Sequence, residues 1–133
     1  MIENINKVVT KHDKLFILGD LAFSDKGMQW VNSIRCRNVE LILGNHDMYP
    51  VRKYLDLGFK VHGFRGYKNY WLSHCPIHPQ EVFRKRANIH GHIHKFGSTD
   101  RCDPDKYFCV NPEYWNLGPV SLEQIDNYYE VNK

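Results

Sequence analysis

Hydrophobic and polar positions follow two periods along the chain, and the switches between them mark its elements. Short, mostly apolar runs read as buried strands: Leu15-Phe16-Ile17-Leu18, Leu41-Ile42-Leu43, Tyr70-Trp71-Leu72 and Ala87-Asn88-Ile89-His90. With their flanks they predict strands over 14–20, 38–43, 68–73 and 87–94. Further strands are expected over 59–64 and 107–110, with Arg65-Gly66-Tyr67 as a tight turn. Helical spacing appears at Ile2, Ile5, Val8 and Val9, predicting a helix over 1–10. Met28, Val31 and Ile34 predict one over 27–35, with Ser24 or Asp25 as N-cap. Shorter helices are expected over 50–57, stopped by Gly58, and over 80–86. Ser121 with Gln124 forms a capping-box pattern for a terminal helix over 121–130. The remaining stretches, 21–26, 75–79, 96–104 and 111–119, read as loops.

Strands alternating with helices in the first half imply parallel pairing. Consecutive strands in the middle imply antiparallel pairing. Together they predict a layered α/β sandwich rather than a pure doubly wound sheet. At 133 residues the chain reads as one domain, 1–133, long enough to bury a core.

Each of the four main runs ends in a group that binds metals. Leu18 leads to Gly19-Asp20, Leu43 to Gly44-Asn45-His46-Asp47, Leu72 to Ser73-His74, and His90 to Gly91-His92-Ile93-His94. Open α/β sheets collect ligands at the carboxyl ends of their strands. Asp20, Asn45, His74 and His92 offer two oxygens and two nitrogens, a mix suited to borderline divalent ions: manganese first, then iron, zinc or nickel. A carboxylate such as Asp20 has two oxygens and can bridge two ions. His94 lies two residues past His92, so on an extended backbone both point to one site. One histidine after a strand is more often a surface residue; the full set at four strand ends is what favours a metal centre. His46 is suited to donating a proton to a leaving oxygen, with Asp47 orienting its ring. Asp47 as a simple turn cap is the plainer alternative. His12, His62 and His78 are expected at the surface, and His90 as support for the sheet.

Composition narrows this only slightly. A net charge of +3 fits an anionic substrate without requiring nucleic acid. Arg52, Lys53, Lys60, Arg65 and Lys68, interleaved with tyrosines, read as a solvated face before a phosphate-steering rim. Cys36, Cys75, Cys102 and Cys109 contain no C-x-x-C pair, so they are expected free and partly buried. No signal peptide or membrane-length apolar stretch is seen, and a cytoplasmic setting is expected.

Gly19-Asp20, Gly44-Asn45-His46-Asp47, His74 and Gly91-His92-Ile93-His94 together resemble the motifs of the calcineurin-like metallophosphoesterases, in the small single-domain bacterial and phage form. The resemblance implies a four-layer α/β sandwich with mixed sheets and a two-metal centre. It implies that Asp20 bridges both ions, that Asn45, His74 and His92 complete one ion's shell, and that His94 serves the other. His46 would assist the leaving group, with Asp47 behind it. The implied activity is metal-dependent hydrolysis of phosphodiesters or small phosphomonoesters, with nucleic acid a partner only as substrate and no membrane.

One motif departs from that pattern. The family opens with a strand ending Asp-x-His, and no Asp-x-His occurs in the 133 residues. The first strand is therefore expected to be missing, the domain N-terminally incomplete, and the second ion short of ligands. Three expectations follow: a fragment of a longer protein, a short form whose open sheet is covered by another copy or a second chain, or a one-metal, non-catalytic domain.

Overall fold

Period-two alternation decides where the first sheet sits. In the computed structural model, which describes residues 1–21, 24–94 and 102–131, β1 (Lys14–Leu18), β2 (Asn38–Ile42) and β3 (Lys60–His62) form a parallel sheet in the order β1-β2-β3. Leu15 and Ile17 of β1 and Val39 and Leu41 of β2 face one way. There they meet Ile2 and Ile5 of α1 (Ile2–Val8), Met28 and Val31 of α2 (Asp25–Val31) and Tyr54 of α3 (Val51–Leu55). Ser24 caps α2, its hydroxyl accepting the Gly27 N–H at 3.2 Å.

Phe16, Leu18 and Ile42 face the other way, toward a second sheet. That sheet runs β4-β5-β6-β7: β4 (Arg65–Tyr67), β5 (Tyr70–Ser73), β6 (Ala87–His90) and β7 (Tyr107–Cys109). β4 and β5 are antiparallel, while β5-β6 and β6-β7 are parallel. The shared core holds Leu18, Ile42, Tyr70, Leu72, Ile89 and Phe108. α4 (Pro79–Val82) lies beside Trp71, whose indole N–H donates to the Glu81 carbonyl at 3.1 Å. α5 (Leu122–Tyr129) adds Ile125 and Tyr129 to the core, and its capping box at Ser121 and Gln124 is formed. The chain thus has the layered, mixed α/β architecture expected. None of its described helices is long and apolar enough to cross a membrane.

The expected turn at Arg65-Gly66-Tyr67 is instead strand β4. The reversal falls at Lys68 and Asn69, with Lys68 at φ 50°. β3 pairs with β2 rather than with its sequence neighbour, so 59–64 and 68–73 do not form one hairpin. Strand β6 stops at His90 and does not run to His94. Residues 22–23 of the first loop, and most of the 96–104 loop, lie outside the described residues.

Glu40 of β2 sits in the layer between the sheets, only 1% exposed. Lys14 Nζ (2.9 Å), His62 Nε2 (2.7 Å) and Arg65 Nε (3.0 Å) surround its carboxylate. Burial works against its charge. The hydrogen bonds from Lys14, Arg65 and His62 outweigh it and hold the carboxyl at about 2. His62 is therefore a half-buried hydrogen-bond partner of Glu40 rather than a plain surface residue. Arg65 is used by the same cluster and Lys53 by Asp25 at 3.2 Å, which fits a structural rather than substrate-steering use of these two cations.

Among the described residues β1 is an edge strand, bonded only to β2. A cavity of about 760 Å³ opens beside it, lined by Phe16, Leu18, Tyr67, Leu72, Ile89 and Val120 among others.

Candidate metal centre

Both sheets deliver their parallel strands' carboxyl ends to one place. β1 ends in Gly19-Asp20, β2 in Gly44-Asn45, β5 in His74, and β6 in Gly91-His92. Close approach is possible because two of these turns lack a side chain. Gly19 has φ 90°, and a Cβ there would fall 2.6 Å from His74 Cγ and 2.8 Å from Gly44 Cα. A Cβ on Gly44 would fall 2.6 Å from the Asp20 amide nitrogen. Asp20 (φ 53°) and His92 (φ 64°) both take left-handed backbone conformations, as do Lys68, Asn116, Leu117 and Glu130 elsewhere in the chain.

His74 is the hub, 5% exposed. Its Nδ1 lies 2.8 Å from the Leu18 carbonyl oxygen. A carbonyl only accepts, so Nδ1 carries the proton, and in the neutral ring Nε2 is left with a lone pair. That lone pair faces Asn45 Oδ1 at 2.9 Å, His92 Nδ1 at 3.0 Å and Asp20 Oδ2 at 3.3 Å. The other oxygen of Asp20 accepts the His46 backbone N–H at 2.9 Å, leaving Oδ2 for the cluster. Four atoms that can each offer a lone pair therefore converge. A proton on His92 Nδ1 would satisfy one of the three contacts to Nε2, whereas a cation among the four atoms satisfies them all. The residue types fit a divalent ion of the borderline class.

Asp47 ties strand ends together through its carboxylate. Its carboxylate accepts the backbone N–H groups of Asp20 (2.7 Å), Gly44 (2.8 Å) and Leu21 (2.8 Å). It clamps the end of β1 to the end of β2, in line with the plainer capping alternative. His46 itself is exposed at the rim of the cluster, tied to Asp20 through its backbone.

His94 is not brought to the His74–His92 group. The extended-backbone premise fails, because the Ile93 N–H turns back to the Gly91 carbonyl at 2.7 Å and His92 is left-handed. His94 Nδ1 instead meets Glu113 Oε1 at 2.9 Å, and Tyr114 donates to the His94 carbonyl at 2.9 Å. His90 is buried, its Nδ1 against the Gly91 carbonyl at 2.9 Å, and burial pushes its pKa down, in keeping with a supporting role. His78 accepts the Gln80 N–H as the cap of α4.

Two contributors escaped the sequence reading. Cys75 lies against the cluster: its Sγ and a ring nitrogen each of His74 and His92 lie within 4.8 Å of one another. The signal was its position directly after His74. Asn88, fully buried in β6, accepts the Ile77 N–H (3.0 Å) and donates to Ser73 Oγ (2.9 Å). Ser73 Oγ in turn donates to the Cys75 carbonyl at 2.6 Å, so Asn88 anchors the loop that carries His74 and Cys75. A polar residue inside a buried apolar run was the available signal.

An uncharacterized protein of Methanocaldococcus jannaschii, MJ1445, is 30% identical over 145 residues, covering 100% of this chain and 75% of the relative. The chain belongs to the MJ1445 family. The fold of this MJ1445-family chain is shared by a protein of unknown function from Aquifex aeolicus, AQ665, with TM-score 0.73 and 22% identity over 96% of this chain and 82% of that one. No family model matches the sequence.

Proposed function

We propose that this protein is a metal-dependent phosphoesterase of the calcineurin-like type, acting on phosphodiesters or small phosphomonoesters. The supporting observation is the convergence of Asp20 Oδ2, Asn45 Oδ1 and His92 Nδ1 on Nε2 of His74. These four residues would hold the ion. A bound divalent ion supplies Lewis acidity to a phosphoryl oxygen. The chain's own groups do the rest. Asp47 fixes the two strand ends so that Asp20 and Asn45 approach His74. Asp20 passes one oxygen to the His46 amide and keeps the other for the cluster. His46, at the exposed rim, gives a proton to the leaving oxygen. His94, held by Glu113, would serve a second ion.

The test is hydrolysis of bis-p-nitrophenyl phosphate with and without added manganese, beside His46→Ala. Manganese-dependent turnover that His46→Ala loses, with metal binding retained, is the expected result. Turnover no greater than that of the mutant would remove the hydrolase assignment.

A second reading is favoured by the position of His94 and by the open edge of β1. In it the chain is a single-metal, non-catalytic domain or a partial subunit whose open sheet is covered by another chain. It predicts about one tightly held ion per chain and self-association or partner binding at that edge. A monomer by light scattering with two bound metals would exclude it.

A further inference from the structure

The four cysteines do not behave alike. Cys36 Sγ donates to the Asp13 carbonyl at 3.2 Å, and Cys109 Sγ to the Ile93 carbonyl at 3.8 Å. Both thiols are thereby satisfied by backbone. Cys75 Sγ makes no hydrogen bond among the described residues, and Cys75 is in no disulfide. Its neighbours are instead metal-type donors: the His74 and His92 ring nitrogens within 4.8 Å, and the Asp20 carboxylate, whose charge, after burial, raises the thiol's pKa.

The loop that carries Cys75 is built, not loose. Asn88 is 0% exposed, and its side chain grips both ends of the turn through Ile77 and Ser73. Ser73 Oγ then fixes the Cys75 carbonyl at 2.6 Å. A buried amide anchoring this turn costs conformational freedom that a plain surface loop would not need to give up. A second observation points to a ligand at the same place. His74 is 5% exposed, its Nδ1 proton is committed to Leu18, and its Nε2 lone pair faces acceptors.

We infer that Cys75 supplies a sulfur ligand to the ion held by His74 and His92, so that the centre selects a thiophilic ion such as zinc, cobalt or ferrous iron over manganese or magnesium. This rests on the proposal that the strand-end cluster holds a metal. The chemical reason is ligand softness: oxygen-rich sites suit magnesium and manganese, whereas a thiolate beside two imidazoles suits zinc and its neighbours. Occupation of such a site makes the thiol a permanent part of the centre rather than a free surface group.

Cobalt(II) titration of the metal-stripped chain provides the test, because cobalt reports its ligands in its spectrum. The expected result is a near-ultraviolet sulfur-to-cobalt charge-transfer band in the native chain that Cys75→Ser lacks, while both retain visible cobalt bands. Zinc affinity is expected to fall at least about 10–100-fold in Cys75→Ser, since losing a ligand costs no less than losing a group that supports one, with manganese affinity little changed. Cys75→Asp, which keeps a ligand but replaces sulfur with oxygen, is expected to shift the preference toward manganese. A native chain that binds cobalt without the charge-transfer band, or a band that survives in Cys75→Ser, overturns the role of Cys75 and leaves the metal centre standing. A native chain that binds no cobalt, zinc or manganese overturns the metal centre itself, and Cys75 with it.

Discussion

Asp47 holds Asp20 from 27 positions away: its Oδ2 accepts the Asp20 backbone N–H at 2.7 Å and the Gly44 N–H at 2.8 Å. The carboxylate therefore joins the ends of two strands before any ligand arrives. Asp47→Asn turns one acceptor into a donor facing backbone N–H groups. A loss of about 2–3 kcal/mol is expected in urea unfolding, since charge-assisted bonds are lost and amides stranded. Unchanged stability with only turnover reduced would return Asp47 to a proton-handling role.

Glu40 sets the acid limb of the stability curve. Its folded pKa, about 2, lies below the ordinary 4.5. A depressed carboxyl pKa means the unfolded chain takes up its proton first. The stabilisation is full above about pH 4.5 and is lost as pH falls from there toward 2. The shift corresponds to on the order of 3 kcal/mol. Denaturant unfolding across that range should show Glu40→Gln less stable at neutral pH, with a flatter acid limb. Parallel curves for the two proteins would count against the ion cluster.

Gly19→Ala tests the close approach at the hub. Its φ of 90° strains an alanine, and the added methyl meets the His74 ring. Backbone strain alone should cost about 1–2 kcal/mol. Because His74 must move to make room, metal affinity by calorimetry should fall as well. Wild-type affinity in a stably folded Gly19→Ala would show that the ring position is not critical.

Asn88→Ala removes the anchor of the 73–77 turn. Leaving the Ile77 N–H without its partner should cost about 1–3 kcal/mol. Zinc affinity should drop by about tenfold although Asn88 is not a ligand, because its loss loosens the turn that presents His74 and Cys75. A stability loss with zinc affinity intact would confine Asn88 to the sheet.

Short-range physics was legible from the chain. The four strand runs, the Ser24 cap and the Ser121–Gln124 capping box are set by alternation and by neighbours three residues apart. So was the delivery of Asp20, Asn45, His74 and His92 to the ends of four strands, because a strand's end is a property of its own few residues.

Only the tertiary structure decided which groups meet. His74 finds Leu18 across 56 positions, and Glu40 finds Arg65 across 25. No periodicity encodes such pairs. They arise when two sheets stack and bring strand ends within hydrogen-bond reach. The same stacking gave Asp47 to backbone amides, turned His94 away to Glu113, buried the charge of Glu40 and set Cys75 beside the histidines. Hydrogen-bond and ion-pair energies depend on distances of a few ångströms, and those distances exist only once the chain has folded.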